Sequence, residues 1–337
     1  MILAFKAAMS GAGQGTYVAV AHSTTPFVSV YLLETGFGTK VANPATLPTG
    51  NGQAVNFSPN NDYIAVGHST TPFVSVYPFT NVFGTKVANP ATLPASTVFG
   101  LEWSPSGAYI ATADASSPYV EVYPWSAGFG TKVANPATLP TGSGNGIGWR
   151  TTSNAVAVAH NTSPFVSAYP FTTGFGTKYA NPASLPVGTG MAVQWSPSGA
   201  DISLACVGTP FIQTYSWSSG FGTKYSNPAT LPGGNGNYNG VEFSPDGTNL
   251  AFASDATPFI QVYPWSSGYG TKYANPASLP VGNTFGVSWQ NDGTNIVMGS
   301  TTSPYVQAYA WSGGFGAKYA NPATLPTGGA NDAAFTN

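Results

Sequence analysis

The sequence is poor in cysteine and in charge. Its 337 residues include one cysteine, Cys206, and charged residues make up only 6% of the chain. A single cysteine excludes an intramolecular disulfide. The formal net charge of -2 at pH 7 argues against a nucleic-acid partner, because nucleic-acid-binding domains carry a concentrated basic patch. We therefore expect neither a disulfide framework nor a nucleic-acid ligand.

Long apolar segments are missing as well. The N-terminal "MILAFKAAMS" is too short, and too interrupted by Lys6, to be the apolar region of a secretory signal. No other run approaches the length that spans a membrane. We therefore expect a soluble protein without an export signal and without membrane insertion, and its compartment is left open.

Groups that could form a catalytic or metal site are few. The three histidines belong to one strand-end column of the repeat described below, which consists of His22, His68, Asp114, His160, Cys206, Ser254 and Ser300. Equivalent places in different repeats are spread apart, so no set of nucleophile, base and orienting group is identifiable. No "CxxC", "HxxxH" or Asp-rich calcium loop occurs. We predict that the protein is not an enzyme, that it has no cofactor, and that each strand-end residue bonds a nearby turn.

What the sequence does have is a repeat. The "FGTK" element, which reads "FGAK" in its last copy, begins at Phe37, Phe83, Phe129, Phe175, Phe221, Tyr269 and Phe315. The spacing is 46 residues except for one step of 48, where "GGNGNYNG" adds two residues. This insertion lacks the Lys-Ser/Thr ending of a phosphate-binding loop, and we interpret it as a flexible surface loop.

Each repeat contains four short extended runs. In residues 53–94, "QAVNF", "YIAVGH" and "FVSVY" alternate in the manner of half-buried strands, and "TKVA" follows as a fourth run after a turn. Four strands in each 46-residue unit is typical of a propeller blade. The predicted fold is therefore all-β: a closed seven-bladed β-propeller with four antiparallel strands in each blade.

The two ends of the chain divide one repeat between them. "TYVAVAH" at residues 16–22 matches a second strand, and "NDAAF" at residues 331–335 matches a first strand. A coiled solenoid would instead need capping repeats at its ends. We predict that residues 1–337 form a single propeller domain in which residues 331–335 complete the blade begun near Tyr17. The N-terminal "MILAFKAAMSG" competes for that place with a poorer register.

Two hairpin motifs carry a resemblance to a known family. "WSPSGAYIATAD" at residues 103–114 and "FSPDGTNLAFAS" at residues 243–254 resemble the first-to-second-strand hairpin of WD-repeat and YVTN-type propellers. The resemblance covers all seven units, and it implies a fold more than a function. The chain departs from true WD repeats, since no Gly-His precedes the blade and no Trp-Asp follows the third strand.

A second resemblance suggests a context. The "GFGTKYANPASLP" element at residues 174–186 is similar to repeats in uncharacterised proteins encoded by bacteriophages. We therefore predict a non-enzymatic binding or structural module, associated with a virion, that contacts other virion proteins or a host surface. The alternative is a multivalent lectin-like propeller that binds surface glycans. A propeller hydrolase or lyase is disfavoured because no catalytic cluster is identifiable.

Two columns are candidate interaction sites. Most of the cations recur on the predicted outer strand as Lys40, Lys86, Lys132, Lys178, Lys224, Lys272 and Lys318. They are interpreted as charges that blunt an exposed strand edge, or alternatively as a cationic ring for an anionic partner. The turn after the third strand carries Leu33 and the candidate ligand-binding residues Phe79, Trp125, Phe171, Trp217, Trp265 and Trp311. These aromatics are expected either to pack between blades or to offer stacking platforms for a ligand.

The middle of each predicted inner strand forms a last column. Its members are Asn56, Glu102, Gly148, Gln194, Glu242, Ser288 and Ala334. If they face the central channel, they line it with a mixture of small and polar groups. Because no single charge is repeated around the ring, we predict a wet channel and no ion site.

Overall fold

The computed structural model describes residues 15–152 and 154–337, which form strands, turns and no helix. The strands are numbered β1 to β24 in chain order. The first strands of the seven sheets are β4 (Gly52–Phe57), β7 (Val98–Trp103), β10 (Gly144–Trp149), β13 (Gly190–Trp195), β17 (Gly236–Phe243), β20 (Thr284–Trp289) and β24 (Ala330–Phe335). The second strands are β1 (Tyr17–His22), β5 (Tyr63–His68), β8 (Tyr109–Asp114), β11 (Ala155–His160), β14 (Asp201–Cys206), β18 (Asn249–Ser254) and β21 (Asn295–Ser300).

The third strands are β2 (Val28–Leu33), β6 (Val74–Pro78), β9 (Val120–Pro124), β12 (Val166–Pro170), β15 (Ile212–Trp217), β19 (Ile260–Pro264) and β22 (Val306–Trp311). Fourth strands occur in three sheets, as β3 (Phe37–Lys40), β16 (Phe221–Lys224) and β23 (Phe315–Lys318). All pairings are antiparallel. Each joins two strands that are consecutive in the chain, except the pairing of β24 with β1. Residues 15–152 and 154–337 contain no helix, and therefore no helix long and apolar enough to cross a membrane.

The prediction of four strands in every blade holds in three sheets only. In the other four, the outer position is reduced to single bridges, which are Phe79↔Phe83, Trp125↔Phe129, Phe171↔Phe175 and Trp265↔Tyr269. The third strands of these four sheets end in proline, whereas the corresponding residues elsewhere are Leu32, Ser216 and Ala310. Proline has no backbone N–H to donate to a ladder. The missing donor therefore explains why the outer strand is interrupted in these four sheets.

The sheet of the first repeat is assembled from both ends of the described chain. β24 pairs with β1 in a register that sets Val18 opposite Phe335 and Ala21 opposite Asp332. The order in this sheet is therefore β24-β1-β2-β3. The competing N-terminal segment, residues 1–11, lies outside the described residues.

The seven sheets are arranged as in a propeller, and the core lies between them. Each first strand packs against the first strand of the next sheet, and β20 packs against β24, which in turn packs against β4. Apolar side chains of successive sheets meet in shared clusters, such as Val30 with Val55 and Ile64. The buried third-strand tyrosines add polar ties, since the Tyr77 hydroxyl donates to the Thr46 carbonyl at 2.8 Å. The "NPAT" element is thereby fixed to the sheet.

Candidate functional site

A cavity lies where the first strands of all seven sheets meet. Its volume is about 80 Å³, several times the ~10–15 Å³ that a cavity needs to hold one water molecule. One layer of the wall is apolar and consists of Val55, Leu101, Ile147, Val193, Val241, Val287 and Ala333. The next layer contains Asn56, Glu102, Gln194, Glu242, Ser288 and Ala334, which are members of the column predicted to line the channel. Polar groups from distant repeats are thus brought to one place.

The two glutamates of the polar layer have matching environments. Oε2 of Glu102 accepts a hydrogen bond from the backbone N–H of Trp149 at 2.9 Å, and the carbonyl of Glu102 accepts from Nε1 of the same tryptophan at 3.3 Å. Glu242 accepts the same two bonds from Trp289, at the same distances. Each carboxylate is therefore held against the inner strand of the next sheet while its side chain still lines the cavity.

Asp332 is the residue that the sequence reasoning missed. At this place in the first strand the other sheets have only small residues, which are Ala54, Gly100, Gly146, Ala192, Gly240 and Gly286. The Asp332 carboxylate accepts backbone hydrogen bonds from Val55 at 3.0 Å and from Ala333 at 2.9 Å. It lines the cavity and is 6% exposed. Burial raises the pKa of Asp332 to about 8, and these two hydrogen bonds oppose the shift.

The neighbouring sheet makes room for this carboxylate. A Cβ atom at Gly286 would lie 2.1 Å from Oδ1 of Asp332, and the φ angle of Gly286 is +56°. Only glycine meets both conditions without strain. A comparison of the aligned repeats could have found Asp332, because it is the one ionisable residue in a column of alanine and glycine.

The two-residue insertion is part of the sheet and is not the flexible loop that we predicted. It lengthens β17 to eight residues and produces a bulge between Gly236 and Val241. The bulge places the ring of Tyr238 between Phe99, at a centroid distance of 4.9 Å, and Phe285, at 6.4 Å. Phe99 belongs to β7, so the insertion contacts the first strand of a sheet that does not follow its own along the chain. β-Bulges re-aim side chains in this way near functional sites.

The aromatic column packs in the core. Phe79, Phe171, Trp217, Trp265 and Trp311 are each at most 7% exposed, and Trp125 is half-buried. Trp217, for example, makes edge-to-face contacts with Tyr179, Trp195 and Phe221 at centroid distances of 5.0 to 5.2 Å. Because these rings are covered by their neighbours, the structure argues against stacking platforms and favours the interpretation that the column packs between blades.

The lysine column lies at the outer position of the sheets, and its amines are engaged locally. In six repeats Nζ donates to Oδ1 of the asparagine three residues later, in the pairs Lys40–Asn43, Lys86–Asn89, Lys132–Asn135, Lys178–Asn181, Lys224–Asn227 and Lys272–Asn275. In the seventh, Lys318 donates to Oε1 of Gln307 at 2.8 Å. The lysine thus ties the outer run to the "NP" turn. Neither edge protection nor a cationic ring is tested by these contacts.

The strand-end column does not converge. Each member ends the second strand of its own sheet. The hydroxyls of Ser254 and Ser300 donate to turn carbonyls, as predicted, whereas the histidines bond a serine of the third strand. Nε2 of His160, for example, lies 3.1 Å from Oγ of Ser167. Burial lowers the pKa of His22, His68 and His160 to about 4. No group of three possible metal ligands occurs among residues 15–152 and 154–337.

Comparison with known proteins finds similar structures but no similar sequences. No protein-family model matches the chain, and no curated protein has a significantly similar sequence. Among solved structures, the chain is similar to a periplasmic gluconolactonase from Pseudomonas aeruginosa, with a TM-score of 0.68 and 14% identity over 96% of this chain and 99% of the other. A protein from Bacteroides fragilis assigned as a 6-phosphogluconolactonase has a TM-score of 0.72 and 11% identity, over 97% of this chain and 99% of the other. Another so assigned, from Bacteroides uniformis, has a TM-score of 0.69 and 13% identity, over 96% of this chain and 100% of the other.

These similarities correct the predicted function. The chain has the fold of lactonase-type β-propellers, and at 11% to 14% identity the likeness concerns the fold alone. The prediction of a non-enzymatic module is wrong by this comparison, because the similar structures bear the names of hydrolytic enzymes. The same finding contradicts the virion protein and its lectin-like alternative. The WD-repeat and bacteriophage resemblances receive no support.

Proposed function

We propose that this protein is a hydrolase of the lactonase type and that the central cavity is its site. The observation that carries the proposal is Asp332, a buried carboxyl group in a cavity that the first strands line with both apolar and polar side chains. The fold shared with proteins named as lactonases supports the same reaction class. A carboxyl group with a pKa near the working pH is suited to general acid–base chemistry.

We further propose that residues 1–337 are one domain and that the seven sheets close into a single ring. The pairing of β24 with β1 supports closure, as does the packing of each first strand on the next. Closure matters for the site because Asp332 belongs to β24. A chain that lost this strand would lose both the inner strand of one blade and the proposed catalytic residue.

The proposed reaction needs one water molecule and one carboxylate. The Asp332 carboxylate takes a proton from water as the water oxygen bonds to the lactone carbonyl carbon. The ring C–O bond then breaks, and the departing oxygen takes the proton back from Asp332, which leaves a hydroxy acid. The Ser288 hydroxyl and the Gln194 amide line the same cavity and supply hydrogen-bond donors for the developing oxyanion.

The test is hydrolysis of D-glucono-1,5-lactone, corrected for the spontaneous reaction at each pH. We expect Asp332→Asn to lower kcat/KM at least ~100-fold, the lower range for loss of a general base. Glu34→Gln is the matched control, because Glu34 is an exposed carboxylate in the turn after β2, away from the residues that line the cavity. In the wild type, kcat/KM should rise with an apparent pKa near 8, since the ionised form of Asp332 is the base.

Two results would contradict the proposal. One is a wild-type rate, on this lactone and on its 6-phosphate, that does not exceed the rate of the spontaneous reaction. The other is full activity in Asp332→Asn, which would show that Asp332 is not the general base. Circular dichroism and thermal melting of each variant establish that the comparison is made between folded proteins.

A further inference from the structure

The insertion that carries Tyr238 is not required to build a blade. Without Tyr238 and Asn239, β17 would begin Gly-Asn-Gly, and β10 begins with these same three residues, Gly144, Asn145 and Gly146. In β10 the Asn145 amide donates to the Gly190 carbonyl of the next sheet at 2.9 Å. In β17 the Asn237 amide makes the equivalent bond to Thr284 at 2.8 Å. The inter-sheet tie therefore exists with and without the two additional residues.

The additional residues instead bring β17 to the central cavity and to the first strand β7. Asn239 lines the cavity, and its amide donates to the Phe99 carbonyl at 3.5 Å, across a sequence separation of 140 residues. The rings of Tyr238 and Phe99 are nearly parallel, with an interplanar angle of 10°. Asn239 has a φ angle of +52°, in the left-handed region that asparagine tolerates better than most residues other than glycine. The bulge and the three-ring stack therefore add contacts between first strands that the blade itself does not need.

The stack lies beside Asp332. Phe99 and Phe285 occupy the position of the first strand that Asn331 occupies in β24, one residue before the column of Asp332. Asn239 and Asp332 both line the cavity, and the polar layer with Glu102 and Glu242 lies two residues further along the first strands than Asp332. The stack and the polar layer therefore stand on opposite sides of Asp332.

We infer that Tyr238 closes the Asp332 end of the cavity and is a specificity-determining residue, so that a lactone enters past the polar layer and its length is limited by the Tyr238 ring. This inference rests on the proposed function for its substrate and on the bulge for its geometry. The site then accepts a monosaccharide-sized lactone end-on and discriminates against a lactone that carries a second sugar.

The decisive variant deletes Tyr238 and Asn239, which restores the Gly-Asn-Gly sequence of β10 and should leave the sheet intact. We expect the ratio of kcat/KM for cellobiono-1,5-lactone to that for D-glucono-1,5-lactone to rise at least ~10-fold in the deletion variant. Tyr238→Phe keeps the ring, removes the hydroxyl, and should retain the wild-type ratio. A merely structural role would lower both rates together and leave the ratio unchanged, which would overturn the inference.

A labelling experiment tests the closure without relying on activity. Cys206 is fully buried and other repeats have serine in its column, so Cys206→Ser provides a background without reactive thiol. Ala333→Cys then places a thiol on the cavity wall. Modification by a bulky methanethiosulfonate should be at least ~10-fold faster when Tyr238 and Asn239 are deleted. Equal rates would refute the closure, whereas faster labelling without lactone hydrolysis would uphold it and refute only the lactonase proposal.

Discussion

Replacement of Trp217 by alanine tests whether the aromatic column belongs to the core. The side chain is 5% exposed and has edge-to-face contacts with Tyr179, Trp195 and Phe221. An aromatic side chain buries ~150–250 Å², which at ~25 cal/mol per Å² corresponds to about 4–6 kcal/mol as an upper estimate. Measured losses for Phe or Trp to Ala in cores are ~3–5 kcal/mol. We therefore expect Trp217→Ala to lower the free energy of unfolding by about 4 kcal/mol.

The expected shift in melting temperature follows from the chain length. At ~2.1 cal/mol/K per residue, the unfolding entropy of 337 residues is about 0.7 kcal/mol/K. A loss of about 4 kcal/mol then lowers Tm by roughly 6 °C, which differential scanning calorimetry resolves easily. Trp217→Phe retains one ring and should lose about half as much.

The control is a large apolar side chain at the surface. Val82 is 57% exposed, so Val82→Ala should change the free energy of unfolding by no more than ~0.5 kcal/mol. If Trp217→Ala lost less than ~1 kcal/mol, the packing argument would fail for this residue. The recurrence of aromatic residues at this position would then need an explanation other than packing between blades.

Three further predictions concern closure, histidine and lysine. Deletion from Gly329 onward removes β24, and we expect lower thermal stability and self-association, seen by calorimetry and size-exclusion chromatography; a truncated chain that matched the full chain would contradict closure. The folded-state pKa of His160 is about 4 and the unfolded value 6.5, so its contribution to stability is present above pH 6.5 and is lost as pH falls toward 4. From pH 7.5 to pH 5 the wild type should lose about 2 kcal/mol more than His160→Ser in denaturant titrations, and equal losses would refute the burial argument. Replacing Lys86, Lys132 and Lys178 by Gln should preserve the fold but raise self-association in analytical ultracentrifugation, and an unchanged monomer would count against edge protection.

The repeat, the strands and the blade architecture could be predicted from the sequence, because they depend on local rules. Alternation of side chains and turn residues placed the first three strands of each repeat, and the spacing predicted seven units. Even the interrupted outer strand has a local cause, since a proline such as Pro78 or Pro124 ends the third strand without a donor. The glutamates of the polar layer were likewise found from the inner-strand column that Glu102 and Glu242 share.

The residues that come together at the central cavity, and the pKa of Asp332 there, depend on the tertiary structure. Asp332 gains its raised pKa only because β24 is buried between β1, β20 and β4, and the carboxylate is thereby removed from water. The composition around Tyr238 predicts a flexible loop, because composition cannot indicate that a bulge carries a side chain to a distant strand. Its partner Phe99 belongs to β7, whose sheet is separated from that of β17 by the sheets of β10 and β13, and only the packing of successive first strands brings two such residues into contact. Local sequence specifies each blade, but the cavity between the blades is specified by how they meet.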